Sequence, residues 1–362
     1  MMKVIDRYLI KSFLCSLFYC LTAFIRLYLI IDLISNTDEF VSEGAKFIDI
    51  VNYYRNLLPD IYIKIMPIST LIGIIITLSY LNKHNELMTL WASGVSSAKI
   101  LMPFLLVSAI ISLASIPVSM NIAPKSMSKA RYIWKVNIGK QYQVKKKIWT
   151  DFAFLDVKNR IVHVGLFNAK DKYMHNIKIT QYDKNYNIKN TIIAKEAKWI
   201  NKKWLLFNGL IRVFDIEGSI IKTENFKQLE SDITETPRGL LIKQAELPHL
   251  DTNLLKRRIK SLMKIKCYPY RELTELHSRI SLPFSNLVMI IIAFSIMLVM
   301  GKKGKKESIG IALSIGFIYY GIAIPITLAI GRDGAIKPWL AAWLANVIFA
   351  LLHLGILIKA RK

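Results

Sequence analysis

Ile280-Ser-Leu-Pro-Phe-Ser-Asn-Leu-Val-Met-Ile-Ile-Ile-Ala-Phe-Ser-Ile-Met-Leu-Val-Met300 contains no Asp, Glu, Lys or Arg. About 20 mostly apolar residues wound as a helix cross the roughly 30 Å hydrocarbon layer of a bilayer, where the backbone finds no water to bond. The run reads as a membrane span. Five other stretches meet the same test, over 8–31, 57–81, 100–123, 308–330 and 338–358. Three spans therefore precede a polar middle and three follow it. Composition agrees: 53% of the 362 residues are hydrophobic and the mean hydropathy is +0.35, unlike an ordinary soluble domain.

Orientation follows from the short basic loops, which stay cytoplasmic. Lys3, Arg7 and Lys11 lead into the first span, Lys83 and Lys99 flank the loop between spans two and three, and Lys302, Lys303, Lys305 and Lys306 crowd the loop between spans four and five. Lys359, Arg361 and Lys362 end the sequence. With six spans all four places share one side, whereas 32–56 carries Asp32, Asp38, Glu39, Glu43 and Asp49. Both termini are expected in the cytoplasm and the middle domain outside. The net charge of +25 is explained by these loops and by an abundance of lysine, with no need of a nucleic-acid partner. The first span follows a basic start but is too long for a signal peptide's apolar region and lacks a small-residue cleavage site.

The middle reads as short strands: Phe152 to Val157, Ile161 to Phe167, Ile177 to Tyr182, Thr191 to Ile200, Trp204 to Phe207 and Leu210 to Phe214. Between the last two, Asn208-Gly209 is the dipeptide that a tight hairpin of type I′ demands. A meander, a sandwich or an open barrel would satisfy this pattern. Alternation reports a packed core before it reports a ligand groove. Strand residues such as Val162, Val164, Ile177 and Ile179 are candidates for a lipid-facing surface. Thr252 can cap a helix to about Lys264, and a second helix from Tyr270 runs through Glu272, Glu275 and Arg279 into the fourth span. The domains are expected at 1–124, 125–267 and 268–362.

Enzymatic chemistry has no visible carrier. Gly301-Lys-Lys-Gly304-Lys-Lys lacks the spacing of a phosphate-binding loop. His84, His163, His175, His249, His277 and His353 show no metal-binding spacing, and there is no nucleophile elbow. Cys15, Cys20 and Cys267 form no disulfide framework.

Two features invite a functional reading. In Asn82-Lys-His-Asn-Glu86-Leu-Met-Thr-Leu90-Trp91-Ala-Ser-Gly94-Val-Ser-Ser97, within about 83–99, Leu87, Leu90 and Trp91 share one helical face. That face fits either a partner's groove or a lipid surface, with Asn85 as the N-cap. Arg26 and Lys64 lie inside the outer parts of spans one and two, where a cation faces protein or an anionic headgroup. The competing account pairs them with Asp32 or Asp60, or lets them reach water.

A resemblance then emerges from the motifs in order: Ile5-Asp6-Arg7-Tyr8 before span one, Glu86-Leu-Met-Thr-Leu-Trp-Ala92-Ser93-Gly94 after span two, and Ala123-Pro124 with Ala130-Arg131 leaving span three. Ala197-Lys198-Trp199, Trp204 and Asn208-Gly209 follow, then His277-Ser-Arg279-Ile-Ser-Leu-Pro283-Phe284 and Gly316-Phe317-Ile-Tyr-Tyr320. The chain resembles the LptF/LptG lipopolysaccharide-export permeases along essentially its whole length, and LptG more closely. The resemblance implies a six-span (3+3) α-helical transmembrane bundle with an inserted extracytoplasmic all-β jellyroll-like domain, in the inner membrane of a Gram-negative bacterium. It further implies an ABC transporter with an LptF-like second permease, an LptB-like ATPase dimer that uses ATP and Mg, and an LptC-like acceptor that takes the lipopolysaccharide onward. Glu86, Leu87, Leu90, Trp91 and Gly94 would couple to the ATPase, and Arg131 would meet headgroup phosphates. Basic positions of the family at the outer ends of spans one and two fall here on Asp32 and Asp60, with Arg26 and Lys64 deeper as substitutes. No metal or cofactor bound by the chain itself is expected. An ATP-independent carrier and a membrane-anchored scaffold are the competing functions.

Overall fold

The structure is a computed structural model describing residues 4–138, 148–156, 160–168, 171–183, 187–201, 203–215, 218–233, 235–237, 240, 247–264, 267–300 and 305–359. The Gly301 to Gly304 loop, with Lys302 and Lys303, lies outside the described residues, as do Lys3, Arg361 and Lys362. Contacts divide the chain into a helical unit, Met1–Trp134 with Tyr270–Lys362, and a second unit, Lys135–Pro269.

Six helical runs are long and apolar enough to cross a membrane: Val4–Ser35, Phe47–Lys83, Ser97–Ile138, Tyr270–Val299, Glu307–Arg332 and Pro338–Lys359, here spans 1 to 6. The protein is a multi-pass membrane protein. Helices overrun the apolar stretches that mark them, because hydropathy locates the part inside lipid while helical hydrogen bonding continues beyond it. Span 2 thus begins at Phe47 and carries Asp49, Arg55 and Asp60 within its first turns. Close packing uses glycine: a Cβ on Gly73 would lie 3.1 Å from the Leu17 Cα, and one on Gly331 would lie 2.3 Å from the Ala341 Cβ. Small residues let backbones approach where lipid offers no hydrophobic drive to association.

Prolines shape spans 3 and 5 in the same way. A wide π turn, Val118–Ile122, precedes Pro124, and another, Ile318–Ala323, precedes Pro325. A helical proline removes one hydrogen bond and crowds the carbonyl four residues back. Those carbonyls belong to Met120 and Gly321, both inside the widened turns, where one extra residue relieves the crowding.

Span 4 is broken rather than widened. The helix Tyr270–Ser281 gives way to a tight turn, Leu282–Phe284, around Pro283 before resuming as Ser285–Met300. The Pro283 carbonyl accepts hydrogen bonds from the Ser112 hydroxyl and the Asn286 amide, each at 2.8 Å. The Ser281 carbonyl accepts from the Asn346 amide at 2.8 Å, and the Tyr319 hydroxyl donates to the Asn346 carbonyl oxygen at 2.8 Å. Spans 3 and 6 thus bond to the break through side chains, and span 5 bonds to Asn346 of span 6.

The second unit holds the expected all-β insertion as one antiparallel sheet in chain order: β1 (Ile148–Asp156), β2 (Arg160–Asn168), β3 (Tyr173–Tyr182), β4 (Ile188–Ile200), β5 (Lys203–Phe214) and β6 (Ile220–Ser231). Of the forms left open by the sequence it is the up-and-down meander, with no crossover. Two expectations are corrected here and one strand is added. Asn208-Gly209 makes no hairpin turn; it lies inside β5, which merges the two strands expected there. β6 escaped the sequence because it is an edge strand exposed along most of its length, so it carries no period of two. Asp251, not Thr252, caps the helix Thr252–Lys264, its carboxylate accepting from the Leu254 N–H at 2.8 Å.

A crease crosses this sheet. Asp151, Asn176 and Asn208, on alternate strands, take φ values of 44°, 52° and 52°, and the pairing on either side brackets one row: Asp151, Gly165, Asn176, Lys195, Asn208, Lys227. Alternation resets there. β2 buries Val162 and Val164 and then Phe167, while β3 buries Met174 and then Ile177 and Ile179. Each strand spends one residue at the crease so that its apolar side chains return to the same face. Asparagine and aspartate tolerate the left-handed conformation that costs other side chains about 1–2 kcal/mol. The core behind it joins Phe152, Phe154, Phe167 and Trp204 with Ile233 and Leu240 from the chain after β6. Trp204 is fully buried, its indole N–H donating to the Glu235 carbonyl at 2.8 Å.

Candidate functional site

The connection between spans 2 and 3 turns on Asn85, at a φ of 60°. Its carbonyl accepts from the Thr89 N–H at 3.0 Å and from the Thr89 hydroxyl at 3.1 Å. Asn85 precedes the helix as expected, but its side chain makes no capping hydrogen bond. The short helix Glu86–Ala92 ends at Gly94, whose φ is 81°. There the Gly94 N–H donates to the Trp91 carbonyl and the Val95 N–H to the Leu90 carbonyl, both at 3.0 Å. This paired closure needs a left-handed residue, which glycine supplies without strain. A Cβ on Gly94 would meet nothing within 4 Å, so backbone conformation, not space, is what glycine provides there.

The helix spends its apolar face on its own bundle. Leu87 is 5% exposed, and Leu90 and Trp91 are half-buried against the same core. The Trp91 indole N–H is buried without a hydrogen-bond partner among the described residues, beside a narrow apolar cleft of about 50 Å³ lined also by Leu78, Leu87, Phe294 and Met297. The face left outward comprises Met88, Thr89, Ala92, Ser93 and Gly94. Glu86 is half-buried at the helix start, where its charge suits the helix dipole. It accepts a hydrogen bond from the Tyr8 hydroxyl at 3.1 Å, so the helix is tied to span 1 while it packs on spans 2 and 4.

The cations expected at the other end of spans 1 and 2 divide. Lys64 pairs with Asp60 at 2.7 Å, as the structural account of these residues had it, while the Tyr320 hydroxyl donates to the Lys64 carbonyl at 3.1 Å. Arg26 is exposed and makes no ion pair among the described residues. Asp32 accepts from the Asn36 amide at 3.1 Å, and Arg131 is half-buried. Among the described residues, no hydrogen bond or ion pair joins Arg26, Lys64 and Arg131 to one another.

Sequence reading missed a charge cluster near the start of span 4, in which Glu275 and Arg279 are buried and Arg332 is exposed. Glu275 lies 3.4 Å from the Arg279 guanidinium and 3.4 Å from that of Arg332. The spacing of Glu275 and Arg279 was visible on one helix face, but Arg332 is brought in by span 5 and leaves no local signal. Buried carboxylates are retained where cations compensate them.

A family model described as lipopolysaccharide export system permease LptF/LptG matches residues 7–359. The chain belongs to this family. The match runs through all six spans, the helix Glu86–Ala92 and the sheet, so the LptF/LptG permease is built from the two units together. An uncharacterised protein of Aquifex aeolicus (strain VF5) is 26% identical over 253 residues, covering 67% of this chain and 66%, just under two thirds, of that protein. LptF and LptG are not distinguished by these matches.

Proposed function

We propose that this chain is one permease half of an ATP-driven exporter that draws lipopolysaccharide out of the inner membrane and hands it to a periplasmic bridge. The family match over residues 7–359 carries this reading. Both termini and the helix Glu86–Ala92 then lie in the cytoplasm, and the β domain lies in the periplasm.

The physical task is severe. Moving an acyl chain into water costs about 0.8 kcal/mol per methylene, hence on the order of 10 kcal/mol for a chain of a dozen carbons. Tails must pass from one apolar enclosure to another, with energy supplied from outside the chain. A partner ATPase dimer with ATP and magnesium supplies it, a second permease completes the enclosure, and a bitopic periplasmic protein accepts the lipid. The helix Glu86–Ala92 is suited to carry the stroke. Leu87 and Trp91 anchor it to spans 2 and 4, Tyr8 ties it to span 1, and Met88, Thr89 and Ala92 remain outward for the partner. Leu87 thereby serves as an anchor rather than a docking contact.

On the periplasmic side, Val162, Val164, Ile177 and Ile179 are buried in the sheet's core together with Ile233 and Leu240. Lipid tails would reach them by displacing the segment after β6, which the Arg160 guanidinium and the Trp204 indole hold through the carbonyls of Asp232 and Glu235.

Glu86→Lys should lower recovery of the ATPase from mild-detergent membranes while the six spans remain inserted; undiminished recovery would remove this helix from the coupling role. Tyr8→Phe should preserve recovery and lower lipopolysaccharide-stimulated hydrolysis, because it cuts the link to span 1 without touching the outward face.

A further inference from the structure

The crease leaves a second feature on the face of the sheet turned away from the core. An open groove of about 650 Å³ lies between the crease row and the neighbouring row, lined by His163, Asn176, Lys178, Lys195, Asn208 and Asn225 over a floor that includes Gly209. We propose that this groove binds an acidic saccharide, a sugar bearing phosphate or carboxylate groups.

Three observations carry the inference. The lining offers two ammonium groups, an imidazole and three amides, and no carboxylate is among it. Amides on both sides of a cleft suit hydroxyl-rich ligands, and ammonium groups beside them suit anionic substituents. The two lysines are also without a carboxylate partner among the described residues, as are Lys189, Lys198 and Lys227. On the same sheet Lys203 pairs with Glu230 and Lys222 with Glu224.

The floor is also tightly packed, with no room for a side chain on Gly209. A Cβ on Gly209 would come within 2.2 Å of the Ile193 carbonyl oxygen and 2.5 Å of the Phe226 ring. Left-handed Asn176 and Asn208 place their own side chains on the groove wall, so the residues that permit the crease also furnish hydrogen-bonding groups. A solvated lysine face needs neither the concavity nor this absence of carboxylates.

The ligand chemistry fits the sugar headgroup of a lipopolysaccharide and equally a free periplasmic anion, and the test separates them. The full-length chain in lipid nanodiscs is titrated with a lipid-free phosphorylated core oligosaccharide, with a neutral dextran oligosaccharide of equal size, and with inorganic phosphate. The account predicts saturable binding of the phosphorylated oligosaccharide, weakened at least about tenfold in the Lys178→Gln, Lys195→Gln double variant and restored by Lys→Arg at both positions. Both positions are exposed, so the variants should fold, and unchanged far-ultraviolet circular dichroism checks that they do. No binding to the natural chain, undiminished binding by the glutamine variant, equal binding of dextran, or equal competition by inorganic phosphate would each overturn the assignment. The probe has no acyl chains and the assay no nucleotide, so its failure leaves the export reading standing, and a failure of ATPase capture leaves the groove standing.

Discussion

The helical bundle and the inserted sheet both depart from regular geometry, and they treat the departure in opposite ways. In the bundle, the break at Leu282–Phe284 is closed by side chains: Ser112 of span 3 and Asn286 of span 4 itself take the Pro283 carbonyl, and Asn346 of span 6 takes that of Ser281. In the sheet, the crease at Asp151, Asn176 and Asn208 repeats on alternate strands, and its row turns polar side chains outward. The difference follows from the solvent. Hydrocarbon offers an exposed carbonyl nothing, so a broken span survives only where neighbours re-bond it. Water serves an interrupted ladder at little cost, so the sheet can use its irregularity to shape a surface.

The largest effect is expected at Gly209. Gly209→Val drives a branched side chain into the β4 backbone and should cost about 3 kcal/mol or more, seen as early proteolytic opening of the β unit while the spans stay folded. If the β unit kept its resistance, the close approach of β4 and β5 would not be structurally required. In the bundle, Asn346→Leu strips the Ser281 carbonyl and the Tyr319 hydroxyl of a shared partner and should cost about 2 kcal/mol in detergent unfolding. An unchanged midpoint would mean that the break is not held by span 6.

Smaller effects sharpen the same contrast. Asn208→Val places a β-branched residue at a φ of 52° and should destabilise the sheet by about 1–2 kcal/mol. Asn208→Gly should change it by only a few tenths, because glycine accepts that conformation. Equal losses in the two would indicate that the side chain, not the backbone, holds the crease. Ser112→Ala should cost the least, about 0.6 kcal/mol, because Asn286 still serves the Pro283 carbonyl.

The six spans and the β insertion were legible in the sequence because burial in lipid and alternation in a sheet leave long periodic signatures. The crease was not. Asn208-Gly209 carries the same local signal whether the chain reverses there or bends within a strand, and only the pairing of Ala194 with Gly209 and of Gly209 with Phe226 shows which. β6 lacks alternation because neither face of most of it is covered. At the short helix, the spacing of Leu87, Leu90 and Trp91 established an apolar face and left its occupant open. The bundle itself takes that face, and the outward side of Met88, Thr89 and Ala92 has no periodic signature. Glu275 and Arg332 meet across 57 positions of sequence, a distance over which no pattern reports contact.

The role proposed for this permease is to work with an ATPase in lifting lipopolysaccharide from a bilayer. Its most direct test is reconstitution of the chain, with the proteins that co-purify with it, into vesicles carrying labelled lipopolysaccharide, followed by capture of the lipid on a soluble periplasmic acceptor. The account predicts transfer that requires ATP and is lost in Glu86→Lys. Transfer at the same rate without ATP, or none from a complex that hydrolyses ATP, would contradict it.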